Sequence, residues 1–187
     1  MSSTTLRRFS AAAAVAATLV LATPSAVYAG HGGQANSGTP DNTSHGVDRN
    51  SISSLGDTAT KHGIAQLNRT KMNASLATSG DVEVYDAYYG NSGDWNGVAG
   101  STDCIDSNWY NNVCNLYRVR FNQSNMSTSS SDWRVLGCHE LGHTAGLGHR
   151  YASTDGNDNS CMRSGLYTTA NEDFDTHDID AINATPM

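Results

Sequence analysis

The pattern of hydrophobic and polar positions predicts two β-strands in the middle of the chain. Residues 81–89, DVEVYDAYY, alternate between apolar and polar positions and are rich in residues that favour strands. Residues 115–123, NLYRVRFNQ, alternate again. They place Tyr117, Val119 and Phe121 on one face of the strand and Arg118 and Arg120 on the other. The segment between the strands is rich in turn-forming residues and carries only a weak signal for a short edge strand around Val98.

A helix is predicted to follow these strands. Residues 124–132, SNMSTSSSD, form a polar loop in which Ser131 or Asp132 is a suitable N-cap. The helix that follows carries the apolar residues Trp133, Val135, Leu136 and Leu141.

A second helix is predicted near the end of the chain, over residues 174–184, FDTHDIDAINA. Asp175 or Thr176 is its expected cap, and Ile179 and Ile182 are expected to face inward. A few strands followed by two helices indicate a small α+β domain.

The first 60 residues are expected to lie outside this domain. Residues 1–29 combine Arg7 and Arg8 with an apolar run and small residues before a cleavage point after Ala29, which is typical of a secretory signal peptide. Residues 30–60 are rich in Gly, Ser, Asn and Thr and predict a flexible leader or a short pro-segment. The folded domain is therefore expected over residues 61–187.

The charge of the chain bears on its partners. The first 29 residues hold two of the eleven basic residues and none of the eighteen acidic ones, so the remainder carries nine basic residues and a net charge of −9. An acidic chain is a poor partner for nucleic acid. No stretch after residue 29 is apolar enough to cross a bilayer, so we expect a secreted, extracellular protein without a membrane anchor.

Four cysteines, at positions 104, 114, 138 and 161, indicate two disulfides in an exported chain, with three possible pairings. We favour Cys104–Cys114 together with Cys138–Cys161. The first pair encloses a short loop bounded by turn-forming residues. A zinc cluster of cysteine and histidine is the alternative, and it is disfavoured because no C-x-x-C pair occurs.

The densest group of candidate functional residues lies in GCHELGHTAGLGHR, residues 137–150. His139 and His143 are four residues apart, and on a helix this spacing projects both imidazoles from one face, close enough to bind one cation. Gly146 can adopt the left-handed conformation that ends a helix, so that His149 folds back as a third ligand. Three neutral nitrogens and one water make an open tetrahedral zinc site of the catalytic kind.

Glu140 is expected to be the general base of this site. It is rotated by about 100° around the helix axis from His139, so it stands beside a zinc-bound water instead of binding the metal. Zinc lowers the pKa of the water and polarises a carbonyl, while the glutamate accepts a proton and passes it to the leaving amine. The sequence therefore predicts peptide-bond hydrolysis with one catalytic Zn²⁺ and a protein or peptide substrate.

A calcium site is considered for residues 153–160, STDGNDNS. This loop alternates acids with Gly and Asn, which are suited to Ca²⁺, but it is short and lacks the twelfth-position glutamate of an EF-hand. An ordinary solvated turn is favoured, and a Ca²⁺ loop is the alternative.

Residues 139–149 resemble the H-E-x-x-H-x-x-G-x-x-H signature of the metzincin zinc metalloproteases. That clan also has a methionine in a tight turn beneath the zinc, and Met162, in SCMRSG, follows thirteen residues after His149. With HDIDAIN after them, these motifs are most similar in order to those of small secreted bacterial matrixin-like proteases. The resemblance covers residues 133–183, and it departs from the matrixin pattern at Arg150, where matrixins usually have serine.

The resemblance implies a metzincin-like zincin fold, in which a small mixed sheet is joined by an active-site helix, a Met-turn and a C-terminal helix. It implies a secreted zinc endopeptidase that holds an extended substrate along an antiparallel edge strand. The residues it assigns are the zinc ligands His139, His143 and His149, the base Glu140 and the Met-turn residue Met162.

The resemblance also predicts where the second cysteine pair lies in the fold. Cys138 precedes the first zinc ligand and Cys161 precedes the Met-turn methionine, so a disulfide would tie the helix to the turn. The alternative function is a catalytically silent binding protein of metzincin-like fold, in which zinc only stabilises the structure. The intact Glu140 argues against this alternative, because a purely structural zinc site has no use for a base.

Overall fold

The computed structural model describes residues 38–108, 110–150, 159–164 and 172–187. Its strands are β1 (Thr39–Pro40), β2 (Ser44–Asn50), β3 (Asn73–Ala77), β4 (Val82–Ala87), β5 (Gly100–Asn108) and β6 (Val113–Asn122). Its α-helices are α1 (Ser54–Leu67), α2 (Ser130–Thr144) and α3 (Thr176–Ala184), and two short 3₁₀ helices span Gly93–Trp95 and Gln123–Asn125. The expected signal peptide and most of the candidate calcium loop lie outside the described residues.

The six strands form one mixed sheet in the order β1-β6-β4-β2-β3, with β5 paired to β6. All the pairs along this path are parallel, and β5 runs antiparallel to β6. The mixed sheet and the helices agree with the α+β class expected from the sequence. Connections between parallel strands must cross over the sheet, and α1 provides such a crossover between β2 and β3.

The alternating segments form the two strands expected of them. In β4, Val82 and Val84 have no exposed surface, and in β6 the same holds for Tyr117, Val119 and Phe121. Val84 lies opposite Val119 in the register of the two strands. The predicted face of β6 is therefore the buried face. The weak edge-strand signal at Val98 was misplaced, because the antiparallel strand β5 begins only at Gly100.

Residues 39–60, expected to belong to a flexible leader or short pro-segment, are part of the fold instead. β2 pairs with β3 on one side and with β4 on the other, and the expected domain boundary at residues 60–61 falls inside α1. The expectation was wrong because this segment buries mostly small and polar residues: Val47, Ala59 and Thr60 have no exposed surface, and His45 is 1% exposed.

Helix α2 lies against α1 and against the inner face of β5 and β6. Its N-cap is Ser129, which accepts a hydrogen bond from the backbone N–H of Asp132. The expected caps, Ser131 and Asp132, are instead inside the first turn, because the helix begins at Ser130. Trp133 fixes this end of the helix: it is buried, and its indole N–H donates to the carbonyl of Ser127 at 2.8 Å.

The other end of α2 is tied to the sheet by His45. The imidazole of this buried residue in β2 bridges the Asp81 carboxylate, at 2.6 Å, and the carbonyl of Thr144, at 3.3 Å. Asp81 also accepts from the backbone N–H of Gly46 at 2.7 Å. One side chain thus links β2, the start of β4 and the last turn of the helix.

Helix α3 begins as the sequence predicts. Asp175 is the N-cap, and it forms a capping box in which its side chain and that of Asp178 each accept from the other residue's backbone N–H at 3.0 Å. Ile182 is fully buried and Ile179 partly so. Within the described part of the chain, none of the helices has the length and apolar character that a membrane span requires.

Candidate metal centre

The histidine-bearing segment ends in a defined turn that brings the third histidine back to the other two. Helix α2 stops at Thr144, and Gly146 follows with a φ of 86°. The N–H of Gly146 donates to the carbonyl of His143 at 3.0 Å, and that of Leu147 to the carbonyl of Gly142 at 3.2 Å. This pair of bonds is a Schellman motif, and the left-handed conformation it needs favours glycine.

The three imidazoles converge on one point. The Nε2 atom of His139 lies 3.1 Å from that of His143 and 3.1 Å from that of His149. The three ring centroids are 4.7 to 5.0 Å apart. Nitrogen ligands at about 2.0–2.1 Å from a tetrahedral zinc would be about 3.3 Å from one another, so the observed spacing is close to that of a zinc site.

The hydrogen bonds of the other ring nitrogens decide what this cluster can bind. His139 Nδ1 lies 2.8 Å from the carbonyl of Cys161, and His143 Nδ1 lies 2.7 Å from the carbonyl of Leu147. A carbonyl can only accept, so each Nδ1 carries the hydrogen and each Nε2 is left with a lone pair. Such carbonyl partners are the ordinary support of metal-binding histidines.

Two facing lone pairs cannot hydrogen-bond to each other, and protonation does not resolve the conflict. Burial lowers the pKa of His143 to about 4 and that of His139 well below its ordinary range. Both rings are therefore neutral at neutral pH. A cation at the point where the Nε2 atoms meet satisfies all of them, so the three histidines form a set that could hold a metal ion.

The site is buried on one side and open on the other. His139 and His143 are 4% and 8% exposed, whereas His149 is exposed to solvent. Three nitrogen ligands with an open side match catalytic zinc sites, which keep one position for water or substrate, better than closed structural sites with four protein ligands.

Met162 packs against helix α2 at Gly142. A methyl group built on Gly142, which stands between the two histidines in α2, would lie 2.4 Å from the Met162 sulfur. Met162 is fully buried in a turn, and its N–H donates to the Ser160 hydroxyl at 2.8 Å. The side chain therefore packs against α2 at Gly142, and its assignment to a Met-turn stays a prediction.

Both disulfides favoured from the sequence are formed. Cys104 is bonded to Cys114 across β5 and β6, and Cys138 to Cys161 between α2 and the turn before Met162. The second bond holds the segment whose Cys161 carbonyl accepts from His139. It thus fixes a hydrogen-bond partner of a candidate metal ligand.

Removal of the second disulfide should affect both stability and metal affinity. Replacing Cys138 and Cys161 by alanine is expected to lower the free energy of unfolding by about 3 kcal/mol and to weaken zinc binding. The matched control replaces Cys104 and Cys114 by alanine and should cost similar stability without changing zinc affinity. Chemical denaturation and zinc competition titrations measure the two quantities, and equal zinc affinity in both variants would contradict the expectation.

Glu140 is buried against β5. It is 3% exposed, and the hydroxyl of Thr102 donates to its Oε2 atom at 2.7 Å. Burial raises the pKa of Glu140 to about 7, with the hydrogen bond from Thr102 acting in the opposite direction. A carboxyl with a pKa in this range can both accept and release a proton near neutral pH.

Arg150, the residue after the third histidine, lies in a buried ionic cluster with α3. Its guanidinium contacts the Asp175 carboxylate and lies 3.9 Å from that of Asp178. Its backbone N–H donates to the carbonyl of Met162 at 2.9 Å. Asp175, His177 and Asp178 are close enough together to suggest a second metal site. Because the Arg150 guanidinium already pairs with these carboxylates, we assign no metal to them.

The structure brings together the residues that the sequence singled out around the motif, and it adds contacts that no local pattern could indicate. Thr102 and Gly100, which touch Glu140, come from β5, a strand that was not expected to begin there. Asp175 and Asp178 were expected only as part of a helix start. The pairing of Asp175 with Arg150 bridges 25 residues and depends on the tertiary fold.

Solved structures with a similar fold include two of myroilysin. One has a TM-score of 0.52 and 13% sequence identity, over 78% of this chain and 84% of that chain. The other has a TM-score of 0.50 and 12% identity, over 80% of this chain and 96% of that chain. At this level of identity, the similarity concerns the fold. The sequence matches no protein-family model and no curated protein at a significant level.

Proposed function

We propose that the protein is a secreted zinc-dependent endopeptidase of metzincin type, similar to the matrixins. The observation that carries this proposal is the convergence of three histidine Nε2 atoms beside a buried glutamate, with the His139 and His143 rings neutral and their Nε2 lone pairs turned toward the meeting point. Imidazole nitrogens in an open three-ligand set suit zinc. His139, His143 and His149 would hold the ion, with His139 and His143 oriented by their carbonyl partners.

Zinc would supply a Lewis acid that polarises a carbonyl and lowers the pKa of water. Residues of the protein would carry out the proton transfers. Glu140 accepts the proton of the attacking water and delivers it to the amine that leaves, and its burial keeps its pKa in the range where both transfers are feasible. The fixed orientation of the histidine rings avoids reorganisation during the reaction.

The substrate is proposed to be a protein or peptide bound in extended form. β5 is antiparallel to β6 and has no other strand partner among the described residues, so its second edge has backbone groups for pairing. Gly100, the first residue of β5, touches Glu140. A peptide that adds to this edge would therefore pass near the base, which is the β-augmentation mode of recognition.

Export is proposed for the same protein, with residues 1–29 as a cleaved signal peptide. Two disulfides are typical of proteins that fold in an oxidising compartment. We propose that any pro-segment ends before β1, and the pairing of β1 and β2 within the sheet supports this.

Cleavage of unfolded casein by the purified protein tests the proposal. We expect cleavage to stop with a zinc chelator and to return when zinc is restored. A protein that holds one zinc ion per chain, yet cleaves neither casein nor a peptide library, would contradict the proposal. It would favour the catalytically silent binding protein instead.

A further inference from the structure

The first residues of β5 and the carboxylate of Glu140 are in direct contact. Side chains two residues apart on a strand point to the same face. The Thr102 side chain and the Cβ position of Gly100 both point toward Glu140 of α2. Thr102 is hydrogen-bonded to Glu140, and Gly100 faces the other carboxylate oxygen. Ser101, between them, points away and donates to Asp103 at 3.1 Å.

Thr102 fixes the carboxylate relative to the helix that carries it. Its Oγ1 lies 2.7 Å from Oε2 of Glu140 and 2.9 Å from the backbone carbonyl oxygen of the same residue. One hydroxyl therefore contacts both ends of a single residue. The free Glu140 side chain has three rotatable torsions. A hydrogen bond from the Thr102 hydroxyl to its carboxylate therefore selects one orientation among several.

Gly100 supplies the space for the second oxygen. A Cβ atom built on Gly100 would lie 2.3 Å from Oε1 and 2.7 Å from Cδ of Glu140. The φ of Gly100 is outside the left-handed region, so an alanine could adopt this backbone conformation. Gly100 is therefore needed for its lack of a side chain, because the Glu140 carboxylate occupies the volume that any side chain at position 100 would take.

We propose that Gly100 and Thr102 form a slot on the edge strand that positions Glu140 for its role as general base. The inference rests on the proposed function and deepens it, since it assigns two positioning residues outside the histidine motif. It also links the strand proposed to bind the substrate to the group that transfers the proton. A displacement of about 1 Å at a catalytic group can cost about 100-fold in rate, so this slot should be visible in the kinetics.

Three variants test the slot. Thr102→Val keeps the shape of the side chain but removes the hydroxyl, Thr102→Ser keeps the hydroxyl, and Gly100→Ala fills the space under Oε1. Ser75→Ala, at an exposed position in β3, which β4 and β2 separate from β6, is the control. The kcat and KM for an internally quenched peptide, the zinc content and the melting temperature are measured for each zinc-loaded protein.

We expect Thr102→Val and Gly100→Ala to lower kcat by about 10- to 100-fold, with KM within about twofold of wild type and one zinc ion per chain. Thr102→Ser should recover most of the rate, and Ser75→Ala should match wild type. Gly100→Ala should remain folded, since the closest clashes are with the Glu140 side chain and not with backbone atoms.

Failure of the proposed function and failure of the slot inference give different results. A wild-type protein that binds zinc but hydrolyses nothing overturns the proposed function, and the slot inference falls with it. If the wild type is active, then an unchanged kcat in both Thr102→Val and Gly100→Ala overturns the slot inference alone. A loss of rate in Thr102→Ser as large as in Thr102→Val, with a lowered melting temperature in both, would show a structural role only.

Discussion

Replacing Glu140 by glutamine is expected to lower the rate of peptide hydrolysis by about 10²- to 10⁴-fold. The amide keeps the size and an oxygen that can accept from Thr102, but it cannot take up a proton. Zinc content should stay at one ion per chain, because Glu140 is not among the three converging ligands. Steady-state kinetics with metal analysis of the same samples measures the effect.

The comparison with Glu140→Ala separates the chemistry from the packing. Alanine removes the proton acceptor and also leaves a cavity beside Gly100 and Thr102, so its activity should be as low and its stability lower. A glutamine variant that retains more than about a tenth of the wild-type rate would contradict the assignment of Glu140 as the base.

Replacing Arg150 by methionine is expected to lower the free energy of unfolding by about 3–5 kcal/mol. The Arg150 side chain is 8% exposed and that of Asp178 is fully buried. Burial raises the pKa of Asp178 to about 6 and the Arg150 guanidinium acts in the opposite direction, so the variant leaves the neighbouring Asp175 and Asp178 carboxyls without their compensating charge. Zinc affinity should also fall, because Arg150 follows His149 directly and its backbone is bonded to Met162.

Chemical denaturation of the zinc-loaded protein at pH 7 measures the loss. Adding Asp178→Asn to Arg150→Met should restore part of the stability, since it removes the unpaired charge. Lys61→Ala, which breaks the exposed pair between Lys61 and Asp57, is the control and should cost less than about 1 kcal/mol. An equal, small effect of Arg150→Met and Lys61→Ala would contradict a structural role for the buried cluster.

Local patterns in the sequence predicted the elements whose structure depends on only a few neighbouring residues. β4 and β6 follow from alternation, because each has one face in the core. The start of α3 follows from Asp175 and the capping box. The histidine spacing in α2 and the glycine after it predict how three ligands converge, since a helix and one turn fix their geometry.

The missed elements depend on contacts distant in sequence. β2 consists of polar residues and glycine apart from Val47, its one apolar side chain, so its position comes from the two parallel neighbours that flank it. α1 buries small residues such as Gly56, Ala59 and Gly63, which give little hydrophobic periodicity. β5 is polar and is specified by its antiparallel pairing with β6 and by the disulfide between them.

The same limit applies to the candidate site. The motif identified the residues on one helix and its following turn, whereas the groups that hold them come from elsewhere in the fold. The Cys161 carbonyl, the Thr102 hydroxyl and the Asp175 carboxylate reach the site from separate loops, strands and helices. Carbonyl, hydroxyl and carboxylate groups are common along the chain, so only the fold shows which of them contact the residues of the motif.

If one zinc ion held by three histidines makes this protein a peptidase, a zinc titration of the metal-free protein should show it. Bound zinc and the hydrolysis rate of an internally quenched peptide are followed in the same samples. We predict that the rate rises in proportion to bound zinc, saturates at one ion per chain, and does not rise in His143→Ala. Full binding without hydrolysis, or hydrolysis that is independent of zinc, would contradict the account.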